Sequence, residues 1–304
     1  MPPPTTTLTL GTLPPDIILQ RGDNDAKGTW GGKKRPGMGG EPVRELQRAL
    51  VAIGAMSANP DGDFGGKTQD GVKRLQWYLG AMAWRLRVPP DSDPLHGTLE
   101  TYTQPAGVQV DGFVRPATMA ELLTLWQGGY ELTSPLVAMS ITGLSNVETA
   151  GTFTVLAYPS SAAGEVLVHQ DFVASLRVMN TKATDAKVTL RINQAFRVQG
   201  VAVNGAVVPP ASSSQHLIGN AVDLNIVDGS TVNTSAMFLA GTQTQAAKDF
   251  VKAVKDVGLR WGGDFSPKDP PHFDRYIVHT GPDYKHAYYF AQRSYARQHP
   301  VRKV

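Results

Sequence analysis

The sequence predicts an α+β protein in two parts: a small three-helix bundle, then an α+β domain whose sheet is mainly antiparallel. Three observations carry this expectation. Apolar residues recur at helical spacing just after Glu41. A turn–threonine–helix phrase occurs twice, at Asp61-Gly62 and again at Asp111-Gly112. The second half holds alternating runs such as Val188 to Asn193. At 304 residues, two domains are the natural expectation.

Residues 1–40 hold many Pro and Gly, including Pro36-Gly37-Met38-Gly39-Gly40, and should form an extended arm with little regular structure. The first domain is expected over 41–129. Val43, Leu46, Leu50 and Ile53 mark one helix stripe, and Gly54 stops it. The turn Asp61-Gly62-Asp63-Phe64-Gly65 follows, with Thr68 placed to cap a helix that buries Val72, Leu75 and Leu79. Asp111-Gly112-Phe113-Val114, Thr118, Leu122 and Leu123 repeat that phrase. The stretch 81–106 is an insertion between helices two and three, and its Trp84, Arg85 and Arg87 are candidates for an exposed binding platform.

After a short junction near 130–136, the second domain is expected over 130–304. Strands are predicted at 151–158, 164–169, 187–198 and 221–227, and helices at 171–179 and 245–257. The stripe of the later helix is Phe250, Val251, Val254 and Val257. His169 reads as an ordinary structural histidine.

Composition narrows the class. Hydrophobic content of 41% with 18% charged residues describes an ordinary globular chain and excludes a disordered tail or fibrous repeat. A net charge of +3 suits a polyanionic surface without calling for nucleic acid, and no apolar run is long enough to span a bilayer. Cysteine is absent, so there is no disulfide framework, and any metal must be held by His and carboxylate. The start, Met1-Pro2-Pro3-Pro4, lacks a charged segment followed by an apolar core, so no secretory signal is expected.

Two short stretches carry the chemistry. One is Ser214-Gln215-His216-Leu217-Ile218-Gly219-Asn220-Ala221-Val222-Asp223. The other is Trp261-Gly262-Gly263-Asp264-Phe265, followed by Asp269-Pro270-Pro271-His272-Phe273. Together they supply two imidazoles, a carboxylate and a spare carboxylate. Hydrolytic zinc takes three nitrogen or oxygen ligands and keeps one position open, and a neighbouring carboxylate can accept a proton from water. Strand alternation sets Asp223 on one face with Ala221 and Asn225, and Gly219 permits a tight turn back to His216. Pro270 and Pro271 stiffen the backbone between Asp269 and His272.

These motifs resemble the zinc D-Ala-D-Ala carboxypeptidase/L-Ala-D-Glu endopeptidase family (peptidase M15), which includes VanY-type enzymes and phage endolysins. The resemblance covers roughly residues 165–280. It implies that His216, Asp223 and His272 hold zinc and that Asp269 is the general base. Asp rather than Glu at that position, with Trp-Gly-Gly-Asp upstream, is similar to the endopeptidase branch. Phe265 replaces a usual Trp. By the same resemblance, Arg197 in Gln194-Ala195-Phe196-Arg197 would steady the developing oxyanion, and Ser214 would orient the first ligand or the peptide; the plain alternatives are a salt bridge and a turn cap. A second resemblance, over 41–128, is to the common peptidoglycan-binding domain, through Val-x-Glu-Leu-Gln, Asp-Gly-x-Phe-Gly-x-x-Thr and Val-Asp-Gly-x-Val-x-Pro-x-Thr.

The resulting expectation is a monomeric zinc peptidase that cuts peptidoglycan stem peptides, with the scissile bond between L-Ala and D-Glu in an endolysin role. It would be made in the cytosol and reach the wall or periplasm through a holin-type or secretion route, with neither nucleic-acid binding nor membrane insertion. A D-Ala-D-Ala carboxypeptidase, a secreted antibacterial effector and a non-catalytic wall-binding virion protein are the alternatives.

Overall fold

The computed structural model describes residues 6–88, 97–150, 164–201 and 211–304. The chain divides into two units, Met1–Thr133 and Ser134–Val304. Both mix helices with short or antiparallel strands, so the fold class is α+β. No helix among the described residues is long and apolar enough to cross a membrane.

The first unit begins with β1 (Thr6–Leu8), β2 (Thr29–Trp30), β3 (Lys33–Lys34) and β4 (Met38–Gly40). Three helices follow, α1 (Pro42–Ala52), α2 (Gly66–Ala81) and α3 (Pro116–Gln127), with β5 (Trp84–Arg87) and β6 (Thr98–Thr101) between the last two and β7 (Tyr130–Glu131) after them. Residues 6–40 are short of regular structure, yet they are built into the unit. Leu8, Leu10, Ile17, Leu19 and Trp30 are buried. Asp25 caps α1 from a distance: its carboxylate accepts from the N–H groups of Val43 and Arg44 and from the Trp30 indole, at 2.9–3.1 Å. Pro42 fits the first helical turn because it lacks an N–H there.

Asp23 is wholly buried, and its carboxylate accepts from the N–H groups of Gln20, Gly31 and Gly32 at 2.8–2.9 Å. Asp23→Ala strands three part-buried donors, each costing about 1 kcal/mol, the low end of the range for a lost partner. The variant is therefore expected to lose about 3 kcal/mol or more in urea unfolding. A loss below about 1 kcal/mol would mean that water replaces the carboxylate at this site.

The repeated phrase is a repeated clamp. Gln47 on α1 donates to Asp61 and Thr68 and accepts from the N–H groups of Asp61 and Gly62. Gln76 on α2 does the same for Asp111, Thr118 and the N–H groups of Asp111 and Gly112. Thr68 is thus a buried partner of Gln47, and the N-cap of α2 is Gly65, which supplies no side-chain cap. The insertion is a hairpin, β5 on β6, with β7 on the other side of β5. Trp84 is only 4% exposed, so it is a core residue and no platform. Arg85 lies 3.7 Å over the Tyr130 ring. Part of the insertion, 89–96, lies outside the described residues.

The second unit contains β8 (Leu136–Ser140), β9 (Val147–Thr149), β10 (Glu165–His169), α4 (Phe172–Ala186), β11 (Thr189–Gln194), β12 (Ala221–Asp228) and β13 (Thr231–Asn233). It continues through α5 (Ser235–Ala240), α6 (Gln245–Asp256), β14 (Arg260–Trp261), β15 (His272–Asp274), α7 (Pro282–Ala296) and β16 (Arg302–Lys303). The predicted strand at 151–158 lies outside the described residues. The main sheet runs β14-β15-β12-β11-β9 with β13 beside β12, and every pairing is antiparallel except β11 with β9. Leu190 and Ile192 of β11 pair with Ile226 and Leu224 of β12, and all four are buried. Helices α4 and α6 pack behind these strands, with the Phe250 ring 5.8 Å from Phe273. Val257 departs from the predicted stripe: α6 ends at Asp256, which leaves Val257 at the C-cap and 47% exposed.

His169 is buried, and its Nδ1 accepts the Asp171 N–H at 3.2 Å, which requires the neutral ring. Burial pulls its pKa down to about 4, with Asp171 opposing. Below about 6.5 the unfolded chain takes up a proton there that the folded chain refuses. Stability is therefore expected to fall as pH drops from about 6.5 towards about 4. His169→Asn keeps an acceptor for the Asp171 N–H and should show a shallower fall in urea midpoint. Parallel curves for the two proteins would refute a buried neutral histidine.

Candidate metal centre

Three elements bring the donors together. Asp223 of β12 and His272 of β15 are directly opposed across the antiparallel pair, so both project from one face. His216 sits on a 3-10 turn, Gln215–Ile218, just before β12. Gly219 ends that turn at φ +78°, and a Cβ there would lie 2.5 Å from the His169 nitrogen. Only glycine meets both demands.

The donor atoms form a small triangle. His216 Nε2 lies 3.0 Å from Asp223 Oδ1 and 3.0 Å from His272 Nδ1, and His272 Nδ1 lies 3.3 Å from Asp223 Oδ1. The tautomers follow from the partners behind the rings. His216 Nδ1 meets the Ala195 carbonyl at 2.7 Å and His272 Nε2 meets the Asp274 carboxylate at 2.9 Å. Both partners accept, so those nitrogens donate, and the opposite nitrogens present lone pairs to the triangle. With both rings neutral, two lone pairs and a carboxylate converge, and a positive charge, a proton or a metal ion, completes the set. A tetrahedral ion with bonds of about 2.0–2.1 Å sets its ligands about 3.3 Å apart, close to the separations seen.

The electrostatics agree. Burial alone would lower the pKa of His272, yet hydrogen bonds and charges from Asp223 and Asp274 push it up to about 9. Asp223, despite its own burial, is held below the carboxylate range by His216 and His272. The pocket therefore favours positive charge at its centre.

Asp269 is set by its backbone. Its N–H donates to the Gly262 carbonyl at 2.7 Å, and its carbonyl accepts from the His272 N–H at 3.0 Å. A Cβ on Gly262 would collide with the Asp269 carbonyl at 2.1 Å, so this packing requires glycine. The Trp261 indole donates to the Pro270 carbonyl at 2.8 Å and closes the loop. Burial, then the Asp223 charge, raise the Asp269 pKa, with His272, His216 and Arg197 opposing.

Arg197 is buried and tied to the first ligand's turn, its N–H donating to the His216 carbonyl at 3.0 Å. The guanidinium donates to the Ala211 carbonyl at 3.3 Å and forms no salt bridge among the described residues. Burial lowers its pKa, while Asp223, Tyr284 and Asp269 support its charge. Ser214 accepts the His216 N–H at 3.3 Å as the cap of the 3-10 turn, and its own N–H and carbonyl are both held by the Tyr284 hydroxyl.

Sequence reasoning missed the support behind His272. Asp274 is 1% exposed and is gripped in turn by Arg260 through two bonds, at 2.8 and 2.6 Å. His-x-Asp on one strand was the available signal, because alternation puts Asp274 on the face of His272. Such a carboxylate fixes the tautomer and orientation of a ligating imidazole.

An α+β scaffold carrying a His–Asp–His triangle that could hold a metal ion, with the Asp269 loop hydrogen-bonded to its third member, is the class of arrangement the fold and site define. Residues 209–275 match the D-alanyl-D-alanine carboxypeptidase family, and residues 39–81 match the peptidoglycan binding domain family. Both resemblances drawn from the sequence are supported by these matches: part of the second unit is similar to that peptidase family, and part of the first is similar to the peptidoglycan-binding domain. Among curated proteins none matches the chain. A solved structure, the L-Ala D-Glu endopeptidase ChiX of Serratia marcescens, is 22% identical, with a TM-score of 0.27, and the match covers 45% of this chain and 96% of that one.

Proposed function

We propose that the protein is a zinc-dependent peptidoglycan endopeptidase that cuts stem peptides between L-Ala and D-Glu, in the role of a phage-type endolysin. The observation that carries this reading is the donor triangle of His216, Asp223 and His272 with the Asp269 loop hydrogen-bonded to its third ligand. Zinc held there would bring the pKa of water to about 7 and polarise a carbonyl.

The residues around it divide the remaining work. Asp269 accepts a proton from the attacking water and returns it to the departing amine as the amide C–N bond breaks. A carboxyl raised towards the working pH suits both transfers. The Arg197 guanidinium, buried and free of any salt bridge among the described residues, offers fixed positive charge to the oxyanion that develops on the carbonyl oxygen as its carbon is attacked. Ser214 holds the turn that aims His216. The first unit keeps the enzyme on an insoluble polymer and so raises the local concentration of scissile bonds.

The test is mass spectrometry of purified peptidoglycan digested by the zinc-loaded protein, with chelator-treated protein alongside. Fragments ending at L-Ala, with new D-Glu amino termini that disappear on chelation, are the expected products. Release of free D-Ala alone would replace this reading with a D-Ala-D-Ala carboxypeptidase, the second reading, which the description of the matched family favours. Binding to the wall without any product would leave a wall-binding protein.

A further inference from the structure

A run of flat groups borders the donor triangle and is not used by the chemistry above. The Phe265 ring lies 5.6 Å from the ring of His272. The Arg260 guanidinium sits between two rings, 4.9 Å from Phe265 and 3.8 Å from Tyr276. Tyr276 meets His279 edge-on at 5.5 Å, and His279 meets Tyr284 at 4.7 Å. Tyr284 then returns to Ser214 through its hydroxyl. The run starts on one histidine of the triangle and ends on the turn that carries the other.

This border is fixed in place. Gln215, 1% exposed, donates to the Ile277 carbonyl at 2.7 Å and to His279 Nε2 at 2.9 Å, and accepts from the Ile277 N–H at 3.3 Å. Tyr276 is nonetheless 44% exposed. Arg260 covers one of its faces, so the outward face is the one solvent meets. A rigid, exposed aromatic face costs little entropy to use in binding.

We propose that Tyr276 is the stacking platform of a sugar subsite, which holds a pyranose ring of the glycan strand beside the stem peptide being cut. The proposal rests on the endopeptidase reading above. Stem-peptide side chains are small, acidic or aminoalkyl and offer no flat apolar face. The polymer's ring-shaped components are its sugars, whose C–H faces are apolar and whose edges carry hydroxyls. A tyrosine face rimmed by polar groups complements that pattern. L-Ala is joined through one lactyl group to the muramic acid ring, so that sugar is the first ring-bearing group beyond the bond under attack. From His272, Tyr276 is reached across Phe265 and the Arg260 guanidinium.

The experiment compares wild type, Tyr276→Phe and Tyr276→Ala as zinc-loaded full-length proteins. The substrates are a soluble disaccharide-peptide and an N-acylated peptide of the same sequence without sugar. For Tyr276→Ala, the ratio of kcat/KM on the first to kcat/KM on the second should fall about tenfold, mainly through KM. Tyr276→Phe keeps the ring and should stay within about twofold of wild type. A variant that merely loosens the metal centre would depress both substrates together and leave the ratio unchanged, and that result overturns the subsite. Titration of the free GlcNAc–MurNAc disaccharide, followed by NMR, reads the same subsite without cleavage. Loss of a binding event in Tyr276→Ala supports the proposal, and identical titrations overturn it. Wild-type cleavage at another bond would instead refute the endopeptidase reading, with the disaccharide titration still deciding the subsite.

Discussion

Asp269→Ala is expected to lower kcat by about 10²- to 10⁴-fold while the protein still binds one zinc per chain. The two halves of this expectation come from different atoms. The loop is fixed by the Asp269 N–H and carbonyl, which an alanine keeps, so His272 stays where β15 puts it. The carboxylate is absent from the donor triangle, so its loss would remove the proposed proton acceptor without removing a proposed ligand. Steady-state rates on an N-acylated L-Ala–D-Glu peptide, alongside metal content by mass spectrometry, measure both halves. Near-normal turnover in the zinc-loaded variant would end the assignment of Asp269 as base. Zinc loss together with activity would make it a ligand.

Asp274→Ala should behave in the opposite way. Its zinc affinity is expected to fall about 10- to 100-fold in chelator competition, with much of the activity restored at saturating zinc. Asp274 touches His272 Nε2 at 2.9 Å and so dictates which nitrogen of that ring faces the triangle. With the carboxylate gone, either tautomer is open to His272, and the Arg260 guanidinium loses the partner that held it by two bonds. Unchanged zinc affinity would show that burial and the opposed register with Asp223 are enough to aim His272. Set side by side, the two variants separate proton transfer from metal retention.

Parts of this site were legible in the sequence because they are local. His216, Gly219 and Asp223 share one turn-and-strand segment. Asp269 precedes His272 by a stiff pair of prolines, so the nature of both groups could be read from spacing. The helix stripes of α1, α2 and α6 were legible for the same reason: burial on a helix repeats with the helical turn. That stripe failed at Val257, where α6 stops one residue earlier than periodicity suggests. Thr68 fits the cap position in sequence, but the amide of Gln47, from a different helix, claims its hydroxyl.

The sequence by itself determined the chemical types: two imidazoles and two carboxylates in two short signatures, a twice-used turn, and a split between a helical and an α+β part. Only the tertiary structure decided which groups meet. His216 and His272 reach 3.0 Å although 56 positions separate them, because β12 and β15 pair antiparallel with Asp223 opposite His272. The same pairing logic sets Arg260 opposite Asp274, and the fold of residues 6–40 carries Asp25 to the start of α1. Such contacts depend on strand register and on buried polar groups finding partners. Both are satisfied across the fold and leave no periodic trace along the chain.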